Sequence, residues 1–180
     1  YGHIGDNADT LTLSTPAQKQ SRVLVVGIEK GGAGKSTVSI HMAIALMRMG
    51  RKVGVIDLDV RQRTLTRYLE NRMRWMQSTN AKLPMPEIIR VDASAERDLD
   101  AAEKEETERF HTSLERLKTA CDLIIVDAPG GDTYLSRIAH MAADTLITPL
   151  NDSFVDFDLL GDVNPQTLEV LRPSFYSEMV

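Results

Sequence analysis

The chain has 180 residues, of which 42% are hydrophobic and 26% charged, ordinary values for a globular protein with one well-packed core. A formal net charge of −5 excludes a general basic field that would draw the whole molecule onto nucleic acid or acidic lipid, although a local basic patch stays open. The single cysteine, Cys121, excludes a disulfide within the chain and fits a reducing cytoplasm. No apolar run reaches the length that a membrane-spanning helix needs.

The first 21 residues differ in character from the rest of the chain. They are polar, lack the apolar segment of a signal peptide and do not begin with Met, so they are predicted to be a disordered or tag-like tail. Residues 22–180 contain the regular hydrophobic patterns and are predicted to form one domain.

Along this domain, short apolar runs rich in β-branched residues alternate with segments of helical periodicity. The predicted strands are residues 23–26, 52–56, 87–91, 123–126 and 145–148. The predicted helices are residues 38–49, 64–77, 99–120 and 134–143, and a last helical stretch from about residue 154 to the end, interrupted near 161–165. The alternation predicts an α/β fold with a doubly wound, mainly parallel sheet, in which binding sites lie at the carboxyl ends of the strands.

The segment "EKGGAGKST", residues 29–37, joins the first predicted strand to the first helix. Strand, glycine-rich turn, Gly-Lys-Ser and helix is the layout of a P-loop, whose backbone N–H groups and helix N-terminus bind phosphate. In that layout Lys35 reaches the β- and γ-phosphates, Ser36 ligates Mg²⁺ and Thr37 lies near the α-phosphate. Glu29 stands where the usual pattern has its first glycine, and a glycine-rich turn before an ordinary helix is the alternative.

Acidic residues follow two further strands. Asp57 and Asp59 come after the second, and Asp127 comes after the fourth, in "LIIVDAPGG". Asp127 suits the role of a Walker B carboxylate for Mg²⁺, and Gly130 and Gly131 can offer N–H groups to a γ-phosphate. Each acid taken alone is as well explained as a helix cap, but three motifs in this order favour a nucleotide site. We therefore expect the strand of Asp127 beside the strand that feeds the P-loop.

Taken together, the motifs resemble a known family. The K-G-G-A-G-K-S run from Lys30 to Ser36, the D-L-D segment and D-A-P-G-G are similar to the deviant Walker A ATPases of the ParA/MinD group. "VIDLDVRQRT" and above all "TPLNDSFVDFDLLG", residues 148–161, resemble the MipZ division-plane positioning ATPases of alphaproteobacteria. The resemblance extends over about residues 22–180.

The resemblance implies a dimerisation switch. ATP would bind the monomer, two subunits would join face to face with both nucleotides between them, and slow hydrolysis would separate them. By this resemblance Lys30 reaches the partner's phosphates, Asp59 positions or activates water, Ser36 binds Mg²⁺ and Asp127 holds its shell through water. The implied nucleotide-binding residues are Lys30, Gly31, Gly32, Ala33, Gly34, Lys35, Ser36, Thr37 and Gly131.

The implied partners are a ParB-like protein, the tubulin homologue FtsZ, whose assembly would be inhibited, and DNA bound without sequence preference. The implied location is the bacterial cytoplasm, at the nucleoid or the cell poles. Family members continue past residue 180 with elements that supply part of the adenine pocket and the dimer and DNA surfaces. The domain is therefore expected to be truncated at its C-terminus.

Two other functions stay open. One is a ParA that partitions plasmid or chromosome DNA, against which only residues 148–161 argue. The other is a metabolic P-loop enzyme that phosphorylates a small molecule, for which no substrate pocket stands out in the sequence. An iron–sulfur electron donor is excluded, since a dimer would need at least two cluster cysteines per chain.

Several other features are interpreted as structural. Arg63, Arg67 and Arg74 share one face of their helix, which fits a solvated basic face or a partner contact. Trp75 is predicted to pack on its helix. His41 and His140 lie in helical patterns without metal-ligand spacing and are also interpreted as structural.

Overall fold

A computed structural model describes residues 21–28, 34–59, 61–150, 161–164, 166–167 and 169–173. Its strands are β1 (Arg22–Val26), β2 (Val53–Asp57), β3 (Glu87–Arg90), β4 (Leu123–Asp127), β5 (Thr145–Ile147), β6 (Gly161–Val163) and β7 (Val170–Pro173). Its helices are α1 (Lys35–Arg48), α2 (Thr64–Thr79), α3 (Leu99–Ala120) and α4 (Tyr134–Met141).

The first five strands form one parallel sheet in the order β3-β2-β4-β1-β5. The fold class predicted from the sequence is therefore confirmed. The predicted neighbourhood of β1 and β4 is confirmed as well, because Val26 stands in register with Asp127.

The two faces of the sheet carry separate halves of the core, as the period-two geometry of a strand requires. On β4, Ile125 packs with the residues of α1 and α2, whereas Ile124 and Val126 pack with those of α3 and α4. Both faces are buried because each is covered by a pair of helices. The α3 side is anchored by its apolar stripe, the buried residues Phe110, Leu114 and Leu117.

Local side chains fix where the helices of that second face begin. The carboxylate of Asp98 accepts a hydrogen bond from the N–H of Ala101 at 2.9 Å and caps α3. The hydroxyl of Thr133 accepts one from the N–H of Ser136 at 3.1 Å and caps α4. The start of α4 is thereby fixed directly after the glycine-containing loop that leaves β4.

The prediction of a last helical stretch is wrong where the structure describes it. Residues 161–163 and 170–173 form an antiparallel hairpin, β6 with β7. The side chain of Asn164 accepts from the N–H groups of Gln166 and Thr167, and the backbone N–H of Asn164 donates to the carbonyl of Glu169, which forms the turn between the two strands. The predicted interruption near 161–165 thus covers β6 and the beginning of this turn. Residues 151–160 and 174–180 lie outside the described part of the chain.

The packing predicted for Trp75 is also wrong, because its side chain is 53% exposed. The buried face of α2 consists of Leu65, Thr66 and Leu69, and Trp75 falls about 120° around the helix from Leu69. None of the described helices is both long and apolar enough to cross a membrane.

Candidate nucleotide-binding site

The site lies where the connections of two neighbouring strands diverge. From β1 the chain passes to α1 on one face of the sheet, and from β4 it passes to α4 on the other. This divergence opens a crevice at the carboxyl ends of β1 and β4, the usual place for a ligand in such a sheet. Helix α1 begins there, after Gly34, whose φ of 85° falls in the left-handed region that glycine adopts without strain.

The carboxylate of Asp127 connects β4 to α1. Its Oδ2 accepts a hydrogen bond from the hydroxyl of Ser36 at 2.6 Å, and its Oδ1 accepts one from the hydroxyl of Ser39 at 3.0 Å. Both serines lie on the same face of α1 near its N-terminus, being three residues apart. The oxygen of Ser36 can ligate a cation while its hydrogen stays with Asp127, so the carboxylate orients the hydroxyl as a ligand.

The electrostatics of this crevice favour a bound cation. The pKa of Asp127 is raised to about 6, chiefly by burial and also by the charge of neighbouring Asp57, although the hydrogen bonds from Ser36 and Ser39 and the charge of Lys35 oppose the rise. Burial also raises the pKa of Asp57, against hydrogen bonds from Thr66 and Asp59. Two buried carboxylates in register on adjacent strands leave negative charge that the buried Lys35 only partly offsets.

Asp57 holds the segment that carries Asp59. Its Oδ2 accepts from the backbone N–H of Thr66 at 3.1 Å and from the hydroxyl of Thr66, and its Oδ1 accepts from the N–H of Asp59 at 3.1 Å. Asp57 therefore fixes both ends of the turn between β2 and α2. The carboxylate of Asp59 accepts from the N–H of Gln62 at 3.3 Å and has no cation partner among the described residues.

A cleft of about 830 Å³ gathers most of the predicted site residues that the structure describes. Its opposite wall is formed by the start of α3 and by Tyr134. The predicted residues that line it are Gly34, Lys35, Ser36, Thr37, Asp59 and Gly131, and Asp127 lies beneath, bonded to Ser36. Lys30, Gly31, Gly32 and Ala33 lie outside the described residues.

The donor set fits a magnesium ion that is held mainly by a nucleotide. A hydroxyl backed by a carboxylate is a ligand for a hard cation. Within the described residues no group of three or more His, Cys, Asp or Glu side chains could hold a metal alone. Magnesium usually keeps several waters and takes one or two protein ligands together with substrate phosphates, which is what Ser36 and Asp127 can provide.

The sequence reasoning missed two contributors to this site. Ser39 is not among the predicted site residues, although its spacing of three from Ser36 on a mostly apolar helix is a signal. In the sequence, Asp57 is recognisable only as one of two acidic residues after a strand. Its two hydrogen bonds from Thr66 depend on where α2 begins. No spacing in the sequence indicates that contact.

The comparisons with known proteins agree with this geometry. The family model described as ATPase MipZ matches residues 22–180. The chain belongs to the ATPase MipZ family. Its resemblance to that family within the ParA/MinD group, inferred from the motifs, is therefore confirmed.

The chain is also similar in sequence to a protein of bacterial division. The septum site-determining protein MinD of Synechocystis sp. is 30% identical over 125 residues, 62% of this chain and 46% of the relative. The chain thus spans about half the length of that relative.

Two solved structures extend the likeness. MinD of Pyrococcus horikoshii OT3, complexed with Mg-ADP, has a TM-score of 0.54 at 21% identity, over 77% of this chain and 61% of that one, a likeness of fold alone. Cobyrinic acid a,c-diamide synthase from Mycobacterium smegmatis, with bound ADP and magnesium, has a TM-score of 0.52 at 26% identity, over 72% of this chain and 59% of that one. The fold is thus shared by proteins of different classes.

The raised pKa of Asp127 predicts how the free energy of unfolding depends on pH when no nucleotide is bound. In an unfolded chain an aspartate has a pKa of about 3.9, so the folded protein holds the proton more tightly. The free energy of unfolding therefore falls as the pH rises from about 4 to about 6. Above about pH 6, the ionised carboxylate of Asp127 lowers the free energy of unfolding by up to about 3 kcal/mol. Asp127→Asn, which stays neutral, should raise the free energy of unfolding at pH 7.5 by about 1–3 kcal/mol and reduce its pH dependence.

Urea unfolding at pH 5 and pH 7.5, without nucleotide or Mg²⁺, measures this effect. The matched control is Asp132→Asn, since Asp132 is exposed and the guanidinium of Arg137 lowers its pKa, so that its neutralisation should not stabilise the protein. An Asp127→Asn protein that is no more stable than the parent at pH 7.5 would contradict the account.

Proposed function

We propose that the protein binds ATP with Mg²⁺ in this cleft. Lys35 neutralises the β- and γ-phosphates, the N-terminus of α1 binds them through its N–H groups, and Thr37 lies beside the α-phosphate. Ser36 ligates the metal and Asp127 holds its water shell. Magnesium, when bound, neutralises charge on the transferring phosphoryl group. The observation that carries this proposal is the pair of hydrogen bonds from Ser36 and Ser39 to Asp127.

We further propose that the nucleotide acts as a dimerisation switch. Asp59 lines the same cleft as the residues that we propose bind phosphate, and there a carboxylate can orient the attacking water. Lys30, with Gly31 and Gly32 allowing another backbone to approach, crosses to the phosphates of a second subunit. Because two such lysines would be buried unpaired without phosphate between them, the dimer depends on the γ-phosphate.

The output of the switch is the position of the division site. The family membership and residues 148–161 support an ATPase that inhibits FtsZ assembly and is coupled to a ParB-like protein and the chromosome. In this proposal the protein acts in the bacterial cytoplasm, near the nucleoid or the poles. No contact in the described residues accounts for the FtsZ effect physically.

Two alternatives make different predictions. A ParA-type partition ATPase would share the ATP-dependent dimer but leave FtsZ assembly unchanged. A metabolic enzyme, favoured by the likeness to cobyrinic acid a,c-diamide synthase and by the room in the cleft beside α3, would need a small-molecule acceptor and no ATP-dependent dimer.

Subunit mixing tests the roles of Lys30 and Asp59. Asp59→Ala should bind ATP with nearly unchanged affinity, hydrolyse it slowly and accumulate as ATP-bound dimers. Lys30→Ala should bind ATP as a monomer and lose hydrolysis, since a cation supplied in trans can contribute about 10³–10⁵ in rate. In a mixed dimer the Lys30→Ala subunit keeps its own Asp59 and receives the partner's Lys30, so one site should regain turnover.

Phosphate release from each variant alone and from their mixture gives the answer. Mixed dimers that demonstrably form but recover no hydrolysis would place Lys30 in its own subunit's site. Equal loss of affinity and turnover in Asp59→Ala would make Asp59 a structural residue or a metal ligand.

Sedimentation of FtsZ polymers tests the proposed output. The full-length protein with ATP should reduce the pelleted polymer, and the Lys35→Ala variant, which lacks the phosphate contact, should not. A protein with normal ATP turnover and no effect on FtsZ would return the function to a ParA-type partition ATPase. The same protein should bind ParB in a nucleotide-dependent way.

A further inference from the structure

The imidazole of His140 lies against the backbone at the point where the chain leaves β1 for the phosphate-binding loop. A Cβ atom added to Gly27 would stand 2.3 Å from Nε2 of His140 and 3.2–3.3 Å from two carbons of the same ring. Cβ atoms in proteins do not approach other atoms to 2.3 Å, so the position tolerates no side chain while the ring is there. Gly27 is needed for this close approach and not for an unusual backbone angle.

The helix that carries the ring is anchored in the core. Ile138 and Ala139, next to His140 in α4, are buried in the core that α3 and the sheet share. Both ring nitrogens of His140 are buried, and burial lowers the pKa of the imidazole, which keeps it neutral at physiological pH. The ring nitrogens are therefore shielded from solvent, and the neutral form of the imidazole is favoured.

The backbone at Gly27 is fixed from the neighbouring strands as well. Its N–H donates to the carbonyl of Ile147 on β5 at 3.1 Å, and the carbonyl of Val26 accepts from the N–H of Ala128 after β4 at 3.0 Å. His140 adds a third contact from the helix side. The segment 29–37 begins two residues further on, so the direction in which the chain leaves Gly27 determines where that segment starts.

Helix α4 connects His140 to the loop that lines the cleft. Its N-terminal end follows the loop with Gly130 and Gly131, which line the cleft, and this end is fixed by the cap of Thr133 and the ion pair of Asp132 with Arg137. Its C-terminal end carries His140. One eight-residue helix, about 12 Å long, thus connects the loop that lines the cleft to the backbone segment that leaves β1.

We propose that His140 is a positioning residue for nucleotide binding, which sets the path of the backbone from Gly27 into the phosphate-binding loop without touching the nucleotide. The inference rests on the proposed binding of ATP in this cleft. It assigns a role in affinity to a side chain that does not line the cleft and would otherwise count only as packing. If His140 has this role, a change in the size of its ring should alter the free energy of nucleotide binding more than it alters the free energy of unfolding.

A double-mutant cycle between Gly27 and His140 tests it. Gly27→Ala should weaken Mg-ADP binding about tenfold or more, because the new methyl group overpacks against the ring and displaces the loop. His140→Ala alone should weaken binding several-fold by removing the support. In the His140→Ala protein the added methyl group has room, so Gly27→Ala should there leave affinity unchanged or improve it. A positive coupling of this kind is expected only for groups in contact.

A matched control is offered by Gly54 in β2. A Cβ there would meet the side chains of Leu117 and Cys121 at 3.0–3.1 Å, away from the cleft. Gly54→Ala should lower the urea midpoint of unfolding by overpacking and leave the Kd for Mg-ADP unchanged. Titration of a fluorescent ADP analogue with Mg²⁺ into each folded variant, alongside urea unfolding, separates the two effects.

The outcomes are distinct. Gly27→Ala with the parent's Kd, or a double variant that binds as weakly as Gly27→Ala alone, would overturn the role of His140. If Gly27→Ala does not fold, the His140→Ala variant and the double variant still test the proposal. If these two variants are equally stable and both bind Mg-ADP with the Kd of the parent, the role of His140 is also overturned. A parent protein that does not bind Mg-ADP at all would instead refute the proposed function.

Discussion

The arrangement of the site depends on one buried carboxylate and its two hydroxyl donors. Asp127, at the end of β4, accepts from Ser36 and Ser39 on α1, and these contacts join parts of the chain about ninety residues apart. Hydrogen bonds to a charged group contribute about 1.5–3 kcal/mol each, and leaving such a group unpaired in the core costs more. The N-terminal part of α1 therefore faces the sheet with serines, while Ile40 and Ala43 anchor the helix further along.

This constraint also explains why the charge of the site is unfavourable when no cation is bound. Asp57 and Asp127 are both buried, stand in register on neighbouring strands and have raised pKa values. A protein without ligand bears this cost at neutral pH, and a magnesium ion near Ser36 would relieve it. Ligand binding and folding are thus coupled through the same carboxylates, since whatever stabilises their charge stabilises the fold.

Much of this fold could be predicted from the sequence because the hydrophobic patterns are regular. Helix α3 was expected at residues 99–120 and is found as Leu99–Ala120, since its stripe at Phe110, Leu114 and Leu117 has an unambiguous helical period. The β6–β7 hairpin was missed because short strands without clear alternation resemble a broken helix. The sequence indicates an interruption near Asn164, but it does not indicate that the chain reverses there into an antiparallel strand.

The site was predictable to the extent that its residues follow strand ends. Lys35, Ser36, Asp59 and Asp127 stand in motifs whose spacing carries chemistry, and the structure brings them to one cleft. The hydrogen bonds from Thr66 to Asp57 and the contact of His140 with Gly27 depend on how the helices pack on the sheet. Such contacts join residues far apart in the chain, and no local pattern records them.

Light scattering of the full-length protein under different nucleotides tests the central claim most directly. The Asp59→Ala variant is the suitable form, because slow hydrolysis keeps the nucleotide as ATP during the measurement. The account predicts twice the monomer mass with ATP and Mg²⁺, and the monomer mass both with ADP and Mg²⁺ and with ATP in a metal chelator. A mass that is the same under all three conditions, whether monomer or dimer, would contradict a switch that responds to the γ-phosphate and its metal.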